Sequence, residues 1–175
     1  MKVAVTGASG LIGSALTASL RAGGDQVVTL VRRTPASASE IAWDPLSHLG
    51  GLEPGALDGT DAVVHLAGAG VADHRWTESY KEEIRSSRVQ GTGALTEFLA
   101  AMSQPPAVLL SGSAVGWYGD TGGREVDESA PAATRVAAQM FETVSWSSTL
   151  TVPEGATSPP APVTVVVKES VLSDP

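Results

Sequence analysis

Cysteine is missing from all 175 residues, which excludes disulfides, thiolate metal sites and a cysteine nucleophile together, and suits a reducing, cytoplasmic setting. Positive charge is scarce: 11 Lys and Arg against 19 Asp and Glu leave a formal net charge of −8. Such a surface repels phosphate backbones and anionic lipid, so neither nucleic acid nor a membrane is an expected partner. Long apolar runs are also missing. Only three apolar residues separate Met1-Lys2 from Thr6-Gly7, too few for a signal-peptide core. The stretch from His65 to Ala72, broken by Gly68 and Gly70, falls far short of the roughly 20 residues that cross a bilayer. Tyrosine occurs only twice, as Tyr80 and Tyr118.

What remains, 42% hydrophobic and 17% charged residues, describes a globular chain of about one domain. Val3-Ala4-Val5 reads as a short buried strand. A helix follows, with Ile12, Ala15, Leu16 and Leu20 at helical spacing, and Gly23-Gly24 ends it. Gln26 to Val31 is a β-branched strand finishing at Arg32-Arg33, which completes one βαβ unit. Between Thr34 and Thr60 only Ile41-Ala42-Trp43 resembles a strand, and the rest reads as loop. The apolar run from Asp61 to Gly68 suits a central parallel strand covered on both faces. Thr77 to Met102 predicts a helix with Leu95, Phe98, Leu99 and Met102 as its stripe, stopped by Pro105-Pro106. Two interior glycines, Gly91 and Gly93, each cost about 1 kcal/mol relative to alanine and point to tight packing on a sheet. Ala107 to Ser111 is the next strand; later come a weaker helix carrying Ala137, Met140, Phe141 and Val144, a loop from Val152 to Pro162, and a strand from Val163 to Val167. Alternating strands and helices give an α/β fold class, a Rossmann-type doubly wound parallel sheet.

Gly7, Gly10 and Gly13 lie between a predicted strand and a predicted helix, the context that lifts a glycine pattern above coincidence. In such a loop Gly7 permits the tight turn and Gly10 lets the backbone approach a pyrophosphate. Gly13 lets helix pack on strand, and the helix N-terminus holds the anion. An NAD site places an acidic residue about 20 positions further on, to accept from the ribose 2′-hydroxyl. Here Arg32 and Arg33 stand there, and guanidinium suits a 2′-phosphate, so NADP is the expected cofactor ahead of NAD. His48, His65 and His74 share no metal-ligand spacing, and His65 reads as a core or strand-end residue. The run Glu78, Lys81, Glu82, Glu83, Arg85, Arg88 reads as a solvated helix face, while Trp76 and Tyr80 could border a pocket.

Thr6 to Gly13 and Asp61 to Gly68 together resemble the extended short-chain dehydrogenase/reductase superfamily. More narrowly, Trp43-Asp44-Pro45, Arg75-Trp76-Thr77, Ser86-Ser87-Arg88-Val89 and Ser111 to Gly119 look like the nucleotide-sugar epimerase family, of the NAD-dependent epimerase/dehydratase type. The likeness covers Met1 to about Pro131. It implies a cofactor site of Thr6, Gly7, Ser9, Gly10, Leu11, Ile12, Gly13, Arg32 and Arg33 with Leu66, Ala67 and Gly68, and with Ser111 or Ser113 near the nicotinamide. Family members run on into a substrate-binding region, so the expected organisation is an NADP-binding Rossmann domain over 1–131 and a divergent segment over 132–175, truncated before that region. The superfamily's Ser and Tyr-x-x-x-Lys are not both here: Tyr80 is followed four residues on by Ile84 and Tyr118 by Gly122, and Phe141 and Ser145 fall where the pair belongs. The resemblance implies an NADP-dependent epimerase or oxidoreductase acting on a nucleotide sugar, with Ser113 and Tyr118 bonding the reacting carbonyl. Set against it are a dinucleotide-binding module without turnover, and a partial product with an exposed sheet edge.

Overall fold

Val3, Ala4 and Val5 sit at the middle of the central strand of a five-stranded, wholly parallel sheet with the order β3-β2-β1-β4-β5. The computed structural model describes residues 1–112, 118, 121–127, 129 and 130. Its elements are β1 (Lys2–Thr6), α1 (Leu11–Ala22), β2 (Gln26–Val31), β3 (Glu40–Ala42), a 3-10 turn at His48–Gly51, β4 (Ala62–His65), α2 (Glu78–Ala101) and β5 (Val108–Ser111). The helix expected around Ala137 to Val144, the strand Val163 to Val167, the boundary at 131/132 and Ser113 lie outside the described residues. No helix among the described residues is long and apolar enough to cross a membrane.

The twofold alternation of a strand divides the buried residues between two faces. Val3, Val5, Val27, Ala62 and Val64 point to the side where Leu16 and Leu20 of α1 pack. Ala4, Leu30 and Val63 point to the other, under Leu95, Phe98 and Leu99 of α2. Two helices on opposite faces of a parallel sheet, with the strand order reversing between β1 and β4, make the doubly wound arrangement.

The segment from Thr34 to Thr60 is mostly turns, yet it supplies Trp43, Leu52 and Leu57 to the α2-side core. Isolated apolar residues between turns carry no periodicity, which is why the sequence reads as loop there. Trp43 ends β3 without joining it: its N–H still donates to the Val31 carbonyl at 3.0 Å while the indole turns into the core. β4 stops at His65 instead of Gly68: the Leu66 N–H is shared between the Thr6 carbonyl at 3.3 Å and Thr6 Oγ1 at 3.1 Å, and the Ala67 N–H goes to Thr6 Oγ1 at 3.2 Å. Thr77 caps α2 by accepting from the Tyr80 N–H at 3.2 Å.

The two helix glycines have different surroundings. A Cβ on Gly91 would meet Pro45 Cβ at 3.2 Å, so this glycine packs against the turn after Trp43 and not against the sheet; a Cβ on Gly93 would meet nothing within 4 Å. Gly93→Ala is therefore expected to raise stability by about 0.5–1 kcal/mol through helix propensity alone, and Gly91→Ala to give no such gain. Urea unfolding of both variants checks the difference, and equal gains would contradict the packing described.

Candidate functional site

The carboxyl ends of β1, β2, β4 and β5 lie at one edge of the sheet, and the loops leaving them carry nearly every residue that the sequence singles out. Gly7 has φ +68°, and a Cβ there would stand 2.6 Å from the Leu66 carbonyl carbon, so the turn after β1 passes directly against the end of β4. The Gly10 N–H donates to the Gly7 carbonyl at 3.0 Å, and a Cβ on Gly10 would touch only that oxygen, at 3.4 Å, leaving its outer side open. A Cβ on Gly13 would overlap the Gly7 carbonyl oxygen, so Gly13 serves the closure of the loop itself more than contact with the strand. Gly10 is the N-cap of α1, offers no capping side chain and is followed by no acidic residue in the first turn. The leading N–H groups of a helix have no intrahelical acceptor and carry the positive end of its dipole, so they face outward ready for an anion. Ser9 and Leu11 are exposed around them, with Ile12 about half so.

Thr6 lies beneath this loop and not in its wall. It is fully buried, and its Oγ1 accepts from the N–H groups of Leu66 at 3.1 Å and Ala67 at 3.2 Å. With both lone pairs used, the hydroxyl proton goes to His65 Nδ1 at 2.7 Å. His65 is thereby the neutral tautomer with its proton on Nε2, which donates to Thr92 Oγ1 at 3.2 Å on α2. Its ring also stands edge-on to Trp43, with centroids 5.9 Å apart. Both ring nitrogens are committed to threonine hydroxyls, so His65 is a strut joining β1, β4 and α2. Burial pushes its pKa from the ordinary 6.5 to about 4.

Leu66 and Ala67 are half-buried and Gly68 is exposed at the start of the next loop, which side chains from α2 and its approach hold in place. Ser87 Oγ accepts from the Ala69 N–H at 3.0 Å, and Arg88 Nη1 donates to the Ala69 carbonyl at 3.0 Å. The Tyr80 hydroxyl donates to the Gly70 carbonyl and Trp76 Nε1 to the Val71 carbonyl. Arg88 thus departs from the solvated face expected of it and is half-buried under the loop, whereas Lys81–Glu78 and Arg85–Glu82 do pair on the surface. The signal for this clamp was the extension of the apolar stripe toward the helix start: Tyr80, Ile84 and Ser87 continue the spacing of Gly91, Leu95 and Phe98.

Arg32 and Arg33, leaving β2, line a shallow cavity wide open to solvent, together with Thr34, Pro35, Ala42, Trp43, Asp44 and Gly51. Arg33 is paired to Glu40, while Arg32 is exposed. Ser111 ends β5 opposite His65, and Tyr118 is half-buried. The cleft between the β1 and β4 loops is the topological switch point, where open α/β sheets bind ligands. Uncapped helix donors beside an open glycine face can accept an anion such as a pyrophosphate.

Well above pH 6.5 His65 is neutral whether the chain is folded or not; as pH falls through 6.5 toward about 4 the unfolded chain takes up the proton first, so stability declines over that window. The loss is expected to reach about 3 kcal/mol and to stop growing below pH 4. Urea midpoints at pH 7, 5.5 and 4.5 measure it, and His65→Gln should flatten the slope between pH 6.5 and 4.5.

The family model described as NAD dependent epimerase/dehydratase family matches residues 3–138, a little beyond Pro131. An epimerase family protein of Mycobacterium bovis is 44% identical over 146 residues, which are 83% of this chain and 46% of that protein. Among solved structures, a nucleoside-diphosphate sugar epimerase from Corynebacterium glutamicum is 39% identical with a TM-score of 0.65, over 81% of this chain and 29% of that one. The human epimerase family protein SDR39U1, solved with NADPH, is 30% identical with a TM-score of 0.67, over 81% of this chain and 48% of that one. The chain spans about half the length of the curated relatives it matches, 46% for the Mycobacterium bovis protein.

Proposed function

The chain belongs to the NAD dependent epimerase/dehydratase family, and from that premise we propose that it binds a nicotinamide dinucleotide, NADP(H) in preference to NAD(H), across the carboxyl ends of β1, β2 and β4. The observation that carries the reading is the uncapped start of α1 beside the open face of Gly10, at the point where the strand order reverses. The first-turn N–H groups receive the pyrophosphate, and Gly10 leaves it room. Arg32 and Arg33 receive the 2′-phosphate at the cavity after β2. Leu66, Ala67 and Gly68 wall the cleft on the β4 side, and the Thr6–His65 strut keeps that wall in register with Gly7. The SDR39U1 structure with NADPH supports the choice of phosphate form.

When bound, such a cofactor supplies reversible hydride transfer. The substrate class we propose is a nucleotide sugar, in keeping with the named activity of the Corynebacterium glutamicum relative, with Ser113 and Tyr118 donating hydrogen bonds to the reacting carbonyl oxygen. One observation favours a second reading, cofactor binding without turnover. No tyrosine in the sequence is followed four residues on by lysine. Of the two tyrosines, Tyr80 spends its hydroxyl proton on the Gly70 carbonyl, which leaves Tyr118 as the remaining phenol. A positioned general base contributes about a hundred- to ten-thousandfold, so its lack is measurable.

Calorimetric titration should find NADPH bound more tightly than NADH, with Arg32→Asp costing NADPH roughly 1.5–3 kcal/mol. Gly10→Val should fold and lose the cofactor, because its side chain occupies the pyrophosphate's place; retained affinity in the folded variant would contradict the site. Incubation with NADP(H) and a panel of nucleotide sugars, following cofactor absorbance and epimer formation, separates the two readings. Turnover abolished by Ser113→Ala supports the enzyme, and binding with no product supports the module.

A further inference from the structure

Glu40 opens β3, and its backbone is fixed by pairing with Thr29 of β2. Its carboxylate meets the Arg33 guanidinium end-on, Oε2 to Nη1 at 2.9 Å and Oε1 to Nη2 at 2.5 Å, and Oε2 also accepts from the Ala36 N–H at 2.6 Å. Arg33 Nη1 spends its second proton on the Thr34 carbonyl at 2.9 Å. Three of the five guanidinium N–H donors are therefore used. The two left, Nε–H and the outer Nη2–H, share one edge of the planar group, the side-on edge that grips an oxyanion with two parallel bonds. Arg33 lines the cavity after β2, and the neighbouring Arg32 makes no side-chain hydrogen bond or ion pair among the described residues.

We propose that Glu40 is the positioning residue for cofactor preference: by holding Arg33 end-on it presents the side-on fork to the 2′-phosphate, with Arg32 as a second, unrestrained cation. This rests on the reading of the site as one for a nicotinamide dinucleotide. An exposed arginine loses rotamer freedom when it engages a phosphate; one already clamped to a strand loses little. The Glu40 carboxylate also repels a phosphate, but it is paired and the surface is solvated, so separation and screening weaken the repulsion while the fork acts at contact distance. Preorganisation wins. The tie works in both directions: the hydrogen bond and charge of Arg33, with the Ala36 N–H, hold the Glu40 carboxyl below its ordinary pKa, so the clamp is charged throughout the neutral range.

The test measures Kd for NADPH and for NADH in the wild type, Glu40→Gln, Glu40→Asp, Arg33→Ala, Arg33→Lys and the double variant Glu40→Gln/Arg33→Ala. Glu40→Gln should weaken NADPH about tenfold and leave NADH within about twofold, and in the double variant it should add nothing to Arg33→Ala. Arg33→Lys keeps the charge but has no fork, and should lose NADPH affinity by a similar factor; Glu40→Asp, whose carboxylate is drawn back by one methylene, should weaken NADPH and not NADH, which keeps the test decisive if Glu40→Gln folds poorly. A wild type that prefers NADPH together with a Glu40→Gln variant that keeps or strengthens that preference overturns the positioning role and leaves the proposed function standing. Equal weakening of both cofactors overturns it as a mere structural effect. A wild type indifferent to the 2′-phosphate overturns both.

Discussion

The Thr6 hydroxyl is the point on which the site is hung. It takes two backbone protons from the end of β4 and gives its own to His65, so the strand that launches the glycine loop and the strand that walls the cleft are tied within one buried network. A satisfied buried network of this kind fixes a single arrangement, because any displacement would leave N–H groups unpaired away from water. The turn at Gly7 depends on that tie. It passes so close to Leu66 that no side chain fits between them, and the start of α1 is aimed by the turn.

Charge is distributed unevenly around this edge of the sheet. A chain with a net charge of −8 repels anions at long range, yet this sheet edge holds an uncapped helix start and, after β2, the exposed Arg32 beside an Arg33 already paired to Glu40. In the proposed site, short-range donors and not the overall charge would select the ligand. In the loop after β4, the carbonyls of Ala69, Gly70 and Val71 accept from Arg88, Tyr80 and Trp76. Side chains that look available for chemistry in the sequence are thus spent on shape.

Much of this was legible in the sequence because its causes are local. The glycine spacing, the alternation on β1 and β4 and the stripe of Leu95, Phe98 and Leu99 each follow from the period of one element, and the family resemblance rests on those same segments. Longer-range arrangements were not legible. Trp43, Leu52 and Leu57 reach the core from a stretch with no period at all. Arg88 looks like one more surface charge until the loop at Ala69 is placed above it, and Gly91 is explained by Pro45, which nothing in the helix announces. Arg33 and Glu40 lie seven residues apart across a turn, and only the pairing of β2 with β3 brings them together.

The proposed dinucleotide has its pyrophosphate on the start of α1 and its ribose phosphate at the end of β2. Amide-resolved nuclear magnetic resonance, titrating the labelled chain with NADPH and separately with NADH, tests this placement most directly. Saturable shifts of Gly10, Leu11 and Ile12 with both cofactors, and of Arg32 and Arg33 with NADPH far more than with NADH, are the result expected. Shifts centred elsewhere, or none at the α1 start while the chain stays folded, would contradict it.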